Sequence, residues 1–162
     1  ACKHLIHTEV TCFDSSYAEL CTDCGPATLF ISHVWAEKAS YTKKSILGIQ
    51  EFLAPGQPKP HEMASLSTDH FLVWFCTACN NQVRIEEELG HDVSQSPFAR
   101  VLASKSCNMV ALINPLTALT RKWCNYEYCV ATDTGMETLM VTSDGVIQSG
   151  NVTPKTLHSI SE

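Results

Sequence analysis

The chain has 162 residues, of which 44% are hydrophobic and 17% are charged. This length and composition predict one globular domain with a sizeable core and exclude intrinsic disorder. The formal net charge of -6, without any basic run, argues against nucleic acid as a partner. No apolar stretch of the sequence reaches the length of a membrane span, so a membrane-spanning segment is not expected.

Cysteine is unusually frequent, with nine residues. The number is odd, and several cysteines lie inside apolar runs, as Cys76, Cys107 and Cys124 do. Buried free cysteines behave as small hydrophobic residues, so this usage favours a reducing intracellular compartment, cytoplasmic or organellar, over a disulfide framework.

Residues 1–26 form a polar segment rich in Cys and His, which predicts an irregular N-terminal extension. Its Cys21-Thr22-Asp23-Cys24 is a C-x-x-C pair that could present two thiolates to zinc. The other Cys and His residues of the segment match no known zinc spacing. Ordinary thiols at Cys21 and Cys24 are therefore favoured over a metal site.

The first predicted strand spans residues 27–35, directly after the breaker Gly25-Pro26. Its C-terminal end carries Ser32, His33 and Trp35. Ligands of open α/β sheets bind at this edge, so these three residues are candidates for a binding pocket. An equally good alternative is that they only satisfy the polar groups of the following loop.

A helix is predicted over Ser40–Leu53, followed by a surface connection at 57–69. The apolar run His70–Cys76 predicts a second buried strand, and Asn81 follows it near the same sheet edge. The second C-x-x-C, Cys76-Thr77-Ala78-Cys79, has no nearby His, which favours a packing role.

The segment Val83–Gln95 is acidic and predicts a solvated stretch without a metal site, since three adjacent Glu side chains diverge on any regular element. Ser96-Pro97 is typical of a helix start, and this helix is expected to reach Ser104. The run Asn108–Ile113 predicts the third strand.

Residues Leu119–Ala131 predict a helix, because no Pro or Gly interrupts them. Its bulky side chains recur at helical spacing and are expected to be buried, namely Leu119, Trp123, Tyr126 and Val130. Glu127 follows Trp123 by one turn, where an apolar neighbour would raise its pKa and suit it to acid–base work. The simpler alternative is an anchoring Trp with a solvated Glu beside it.

Glu137–Val141 predicts a fourth strand, and Ser143-Asp144-Gly145 a turn into a short hairpin partner. Strands and helices thus alternate over residues 27–150, which predicts an α/β domain with a mainly parallel sheet, followed by a polar tail at 151–162. Phosphate-loop, dinucleotide-binding and hydrolase-elbow motifs do not occur in the sequence.

Three stretches in this order resemble a TIR-like domain: Ala27–Trp35, then Phe71–Cys76 with Asn81-Gln82, then Leu119-Thr120-Arg121-Lys122-Trp123-Cys124-Asn125-Tyr126-Glu127. The first is similar to the opening strand of the family, F-[IV]-S-[YH]. The last is similar to the L-T-R-x-W-C-x-x-E form of TIR-like domains from algae and other protists. The likeness covers about residues 26–142.

This resemblance implies a flavodoxin-like fold, here without a recognisable last strand and helix. It also implies one of two functions. Some family members cleave NAD+ at the nicotinamide–ribose bond, with Glu127 in the position of the catalytic carboxylate. Ser32, His33, Trp35, Asn81 and Trp123 would then form the substrate-binding set, and Trp123 would buttress the helix.

The second function that the resemblance implies is a non-catalytic scaffold that self-associates or joins a larger assembly. Two departures from the family favour it: Cys76 stands where an Asp commonly ends the second strand, and the last strand and helix are not recognisable after Gly150. A third departure is that Val83–Gln95 replaces the loop over the pocket. Protein partners are expected in both cases. A nicotinamide nucleotide would be a substrate, so no cofactor is expected.

Overall fold

The computed structural model describes residues 14–21, 25–56 and 72–147. It contains five strands: β1 (Leu29–Ser32), β2 (Val73–Phe75), β3 (Met109–Ile113), β4 (Glu137–Thr142) and β5 (Gly145–Val146). The helices of the same ranges are α1 (Ala39–Leu53), α2 (Cys76–Cys79), α3 (Ile85–Leu89), α4 (Pro97–Leu102), α5 (Pro115–Ala118) and α6 (Lys122–Asp133), with a 3-10 turn at Val93–Gln95.

The strands form one sheet in the order β2-β1-β3-β4-β5. The pairs β1–β2 and β3–β4 are parallel, and β4–β5 is an antiparallel hairpin. The prediction of an α/β fold with a mainly parallel sheet is therefore confirmed. Within the described ranges, no helix has the length and apolar character needed to cross a membrane.

The chain divides into two compact units, and the division falls inside β1, between Ile31 and Ser32. The first unit comprises residues 1–31 and 72–108, and the second comprises 32–71 and 109–162.

In the first unit, aromatic rings fill the space beside β1 and β2. Phe30 and Trp74 are register partners in the parallel pair, and their rings stack with centroids 4.5 Å apart. The ring of Phe98 meets Trp74 edge-on at 5.0 Å, which fixes α4 against the strands. As predicted, Ser96 caps α4, with its hydroxyl accepting from the amide of Ala99.

In the second unit, every residue of β3 is buried, as expected of a central parallel strand. Helix α6 packs against β3 and β4, while α1 packs against β4 and β5. Gly48 of α1 lies so close to the hairpin that a Cβ there would stand 3.2 Å from the Cα of Gly145. The predicted hairpin turn is confirmed.

One predicted boundary in the first unit is wrong. The second strand ends at Phe75, because Cys76 begins a single helical turn closed by a bond from the Asn80 amide to the Cys76 carbonyl. The segment Val83–Gln95 was expected to be solvated, and it contains α3 and the 3-10 turn with no fully buried residue. The residues His70 and Phe71 of the predicted strand lie outside the described ranges.

The predicted helix Leu119–Ala131 also needs correction. The observed helix α6 begins only at Lys122, and a separate short helix, α5, ends at Ala118. After α5, the Leu119 amide donates to the Pro115 carbonyl and the Thr120 amide donates to the Thr117 carbonyl. Residues 119–121 are therefore a connection between two helices.

Candidate functional site

Helix α6 buries a stripe that the spacing of its bulky residues does not predict. Its buried residues are Cys124, Glu127 and Ala131, whereas Trp123, Tyr126 and Val130 are only partly buried. The packed face is thus displaced by one position from the expected one. Small side chains let the helix approach the all-apolar β3, and this face carries the carboxyl of Glu127 inward.

Glu127 is 3% exposed and is held by Ser32, the last residue of β1. The Ser32 hydroxyl donates to Oε2 of Glu127 over 2.5 Å. Desolvation by burial raises the pKa of this carboxyl from 4.5 to about 7, although the Ser32 hydrogen bond acts in the opposite direction. The alternative of a solvated Glu at the helix edge is therefore wrong.

Cys124 fixes the same helix against the chain that follows β1. Its thiol donates to the His33 carbonyl, with 3.6 Å between Sγ and O, and its side chain packs with Leu112 and Ala118. Burial raises the pKa of the thiol, so Cys124 remains protonated and can serve as a donor. The predicted residues Ser32, His33 and Glu127 are thus brought together.

The two predicted tryptophans of this unit lie nearer the surface. Trp35 is 49% exposed, three residues beyond the end of β1. Trp123 is partly buried, and its ring meets that of Tyr126 edge-on at 6.5 Å. Glu127 lies on the inward face of α6 together with Cys124 and Ala131.

Asn81, the remaining candidate, belongs to the first unit and is 2% exposed. Its amide nitrogen Nδ2 donates to the carbonyl and to the carboxylate of Asp14, while Oδ1 accepts from the backbone amides of Val83 and Arg84. Its backbone amide donates to Glu88. Arg84 adds an ion pair to Asp14 at 3.0 Å, so Asn81 is the centre of a loop-building polar cluster.

The zinc alternative at Cys21 and Cys24 is not tested, because it falls mainly on residues outside the described ranges. Cys21 is exposed, and Cys24 lies outside the described residues. Across residues 14–21, 25–56 and 72–147, no group of three or more His, Cys, Asp or Glu side chains could hold a metal ion.

The second unit also contains a cavity of about 610 Å³ that the sequence did not reveal. Its lining residues follow β1, β3 and β4 in the chain, and Glu37 is one of them. One carboxylate oxygen of Glu37, Oε2, accepts from the Thr42 hydroxyl at 2.8 Å. The other, Oε1, is buried without a partner, and desolvation raises the pKa of the carboxyl. An isolated Glu before a helix gives no sequence signal for such a site.

Comparison with known proteins gives no family assignment. No protein-family model matches the chain, and neither do any curated protein or solved structure.

Proposed function

We propose that this chain is a TIR-like domain with a flavodoxin-like fold that binds NAD+ and hydrolyses it at the nicotinamide–ribose bond, with Glu127 as the catalytic carboxylate. The observation that carries the proposal is the buried Ser32–Glu127 pair at the C-terminal end of β1. The strand order 2-1-3-4-5 is that of flavodoxin-like folds and supports the fold assignment. The antiparallel β5 departs from that pattern.

A carboxyl with a pKa of about 7 suits this substrate. The nicotinamide ring of NAD+ is positively charged, and its approach favours the ionised form of Glu127. As the C–N bond lengthens, positive charge moves onto the ribose, and a carboxylate in a site of low polarity stabilises that centre strongly. The Ser32 hydroxyl keeps Oε2 oriented during the reaction.

The reaction balances without any cofactor. The C–N bond breaks, and its electron pair leaves with nicotinamide and neutralises the ring. A water molecule attacks the ribosyl carbon, and its proton passes to Glu127 and then to solvent. The products are nicotinamide, ADP-ribose and a proton. Glu127 thereby serves first as an electrostatic stabiliser and then as a base.

The decisive experiment follows NAD+ consumption by concentrated protein, with release of nicotinamide as the readout. Glu127→Gln retains the shape of the side chain and an acceptor for Ser32, and we expect it to lower kcat by at least about 100-fold. The matched control is Glu51→Gln, which removes an exposed carboxylate from α1 and should leave turnover unchanged. Equal turnover in the parent and Glu127→Gln would refute the role of Glu127.

Ser32→Ala tests the hydrogen bond within the pair. Because the Ser32 hydroxyl lowers the pKa of Glu127, its loss should move the acid limb of the kcat profile to higher pH. An unchanged acid limb in an active Ser32→Ala variant would show that the titrating group is not Glu127.

A second candidate function is a non-catalytic interaction module, which the 3% exposure of Glu127 favours, because catalysis requires the carboxyl to become accessible to substrate and this function does not. Large apolar side chains are exposed in the same unit, with Trp35 at 49% and Leu116 at 55%. This function predicts no turnover at any protein concentration and concentration-dependent association in sedimentation velocity, weakened by Leu116→Ser.

A further inference from the structure

We propose that Cys76 and Cys79 form a dithiol site that a peroxide oxidises to a disulfide, with Cys79 as the thiol that reacts first. Both cysteines belong to the first unit, whereas Ser32 and Glu127 belong to the second. Oxidation at this site therefore does not depend on cleavage of NAD+. Three features carry the proposal: the position of both thiols in one helical turn, their unequal exposure, and a hydrogen bond to Cys79.

The first feature is the spacing of the two cysteines along the turn. They begin and end α2, which directly follows β2, and both side chains are thiols in this structure. Residues three positions apart in a helix have Cα atoms about 5 Å from each other. A disulfide needs a Cα separation of about 4.4–6.8 Å, so a small adjustment of the turn is enough to form the bond. A C-x-x-C pair in an α/β fold is typical of redox-active dithiols.

The second feature is the difference in exposure, which gives the two thiols different roles. Cys76 is 2% exposed, whereas Cys79 is partly exposed and lines a cavity of about 510 Å³ in the first unit. This volume is many times the roughly 30 Å³ of a water molecule, so a small hydroperoxide can enter the cavity. The oxidant therefore meets Cys79 first, and Cys76 lies behind it as the thiol that completes the disulfide.

The third feature is a hydrogen bond that favours reaction at Cys79. The backbone amide of Phe75 donates to Sγ of Cys79 over 3.4 Å. A donor at this position stabilises negative charge on the sulfur, and the thiolate is the form of cysteine that attacks oxidants. Because Phe75 directly precedes Cys76, this bond also holds the Cys79 sulfur toward the end of the turn where Cys76 begins.

The reaction balances with a hydroperoxide as the oxidant. The Cys79 sulfur attacks one peroxide oxygen, so an S–O bond forms and the O–O bond breaks. The leaving oxygen takes up the thiol proton, and Cys79 becomes a sulfenic acid. The Cys76 sulfur then attacks the Cys79 sulfur, and the hydroxyl group leaves as water with the proton of Cys76. The two thiols lose two electrons in total, and these electrons reduce the peroxide.

The test is brief treatment of the full chain with hydrogen peroxide, followed by alkylation and mass spectrometry of tryptic peptides. Residues 45–84 form one tryptic peptide, because Lys59 precedes Pro60, and its only cysteines are Cys76 and Cys79. We expect this peptide to lose two hydrogens and to resist alkylation until a dithiol reductant is added.

Three variants separate the roles of the thiols. Cys79→Ser should slow the oxidation of Cys76 at least about tenfold, because the remaining thiol is buried. Cys76→Ser should stop the reaction at a sulfenic acid on Cys79, which a cyclic dione traps. The control Cys129→Ser removes an exposed thiol of α6 and should leave oxidation of the peptide unchanged. Equal rates of Cys76 oxidation in the parent and in Cys79→Ser would contradict the role of Cys79.

The parent protein alone also decides the proposal, so it remains testable if a variant fails to fold. Three outcomes would overturn it: an intact dithiol after the exposed thiols of Cys21 and Cys129 have been oxidised, disulfides from Cys79 to a cysteine other than Cys76, or oxidation of the pair only in urea. None of these readouts uses NAD+, so failure of NAD+ cleavage leaves them unaffected.

Discussion

The two units each contain a buried polar side chain near a strand end, but the two side chains differ in how fully they are bonded. In the first unit, Asn81 uses both side-chain polar atoms and its backbone amide to tie together Asp14, Val83 and Glu88. In the second unit, the carboxyl of Glu127 accepts a hydrogen bond from Ser32. Desolvation nevertheless raises the pKa of this carboxyl to about 7.

This difference separates groups that build structure from groups suited to chemistry. The bonds of Asn81 compensate its burial, and any ligand that took one of them would break the loop. Because its pKa is about 7, the carboxyl of Glu127 gains or loses its proton close to neutral pH. Shifted pKa values of this kind are common at functional sites. The sequence suggested Asn81 and Glu127 alike as site residues, and their geometry favours only the second.

The largest effect that we expect is on the free energy of unfolding of the Glu127→Gln variant. The raised pKa means that the folded chain retains a proton that the unfolded chain loses, so this contribution to stability is complete below about pH 4.5 and is lost as the pH rises to about 7. We expect the free energy of unfolding of Glu127→Gln to exceed that of the parent by about 3 kcal/mol at pH 8.

Urea denaturation of both proteins across pH 4 to pH 8 provides the measurement, because other titrating groups cancel in the difference between them. A difference that does not change with pH would contradict the raised pKa. A gain in stability together with loss of NAD+ cleavage would match the usual conflict between stability and activity at functional sites.

The next largest effect contrasts two neighbours in the first unit. Asn81→Ala removes the centre of the polar cluster and should lower the free energy of unfolding by about 2–3 kcal/mol. Asn80 is 1% exposed, but its side-chain nitrogen and oxygen have no partner, so Asn80→Ala should change stability by less than about 1 kcal/mol. Equal losses in thermal or urea unfolding would contradict the distinction.

The smallest effect concerns Ser96, a buried residue of the first unit whose hydroxyl both donates and accepts a hydrogen bond. It accepts from the Ala99 amide and donates to the Val93 carbonyl at 2.7 Å. Ser96→Ala should lower the free energy of unfolding by about 1 kcal/mol, the usual effect of losing a helix cap. Ser94→Ala is the control, since its hydroxyl bonds to Asp92 at the exposed surface and should contribute less than about 0.5 kcal/mol.

The sequence was sufficient for features that depend on local chemistry. The β-branched and aromatic runs of β1 and β3 predicted buried strands, Ser96-Pro97 predicted a capped helix, and Ser143-Asp144-Gly145 predicted the hairpin. In each of these, neighbouring residues supply most of the physical cause.

Features that depend on the approach of distant segments were missed. The bulky residues of α6 suggested the wrong buried face, because small Cys124 and Ala131 allow closer packing on β3 than Trp123 would. The cluster around Asn81 and the cavity at Glu37 assemble from separate parts of the chain. No spacing rule along the sequence encodes either of them.

The close approach of Gly48 to Gly145 connects the shape of the cavity at Glu37 to a residue that does not line it. Ser143, which lines the cavity, belongs to the same tight turn as Gly145. A methyl group at position 48 would stand 3.2 Å from the backbone of that turn and would have to push it aside by a few tenths of an ångström. Gly48→Ala should therefore change the shape of the cavity by moving the turn, although position 48 does not line the cavity itself. A residue in the middle of α1 thus affects the volume of the cavity.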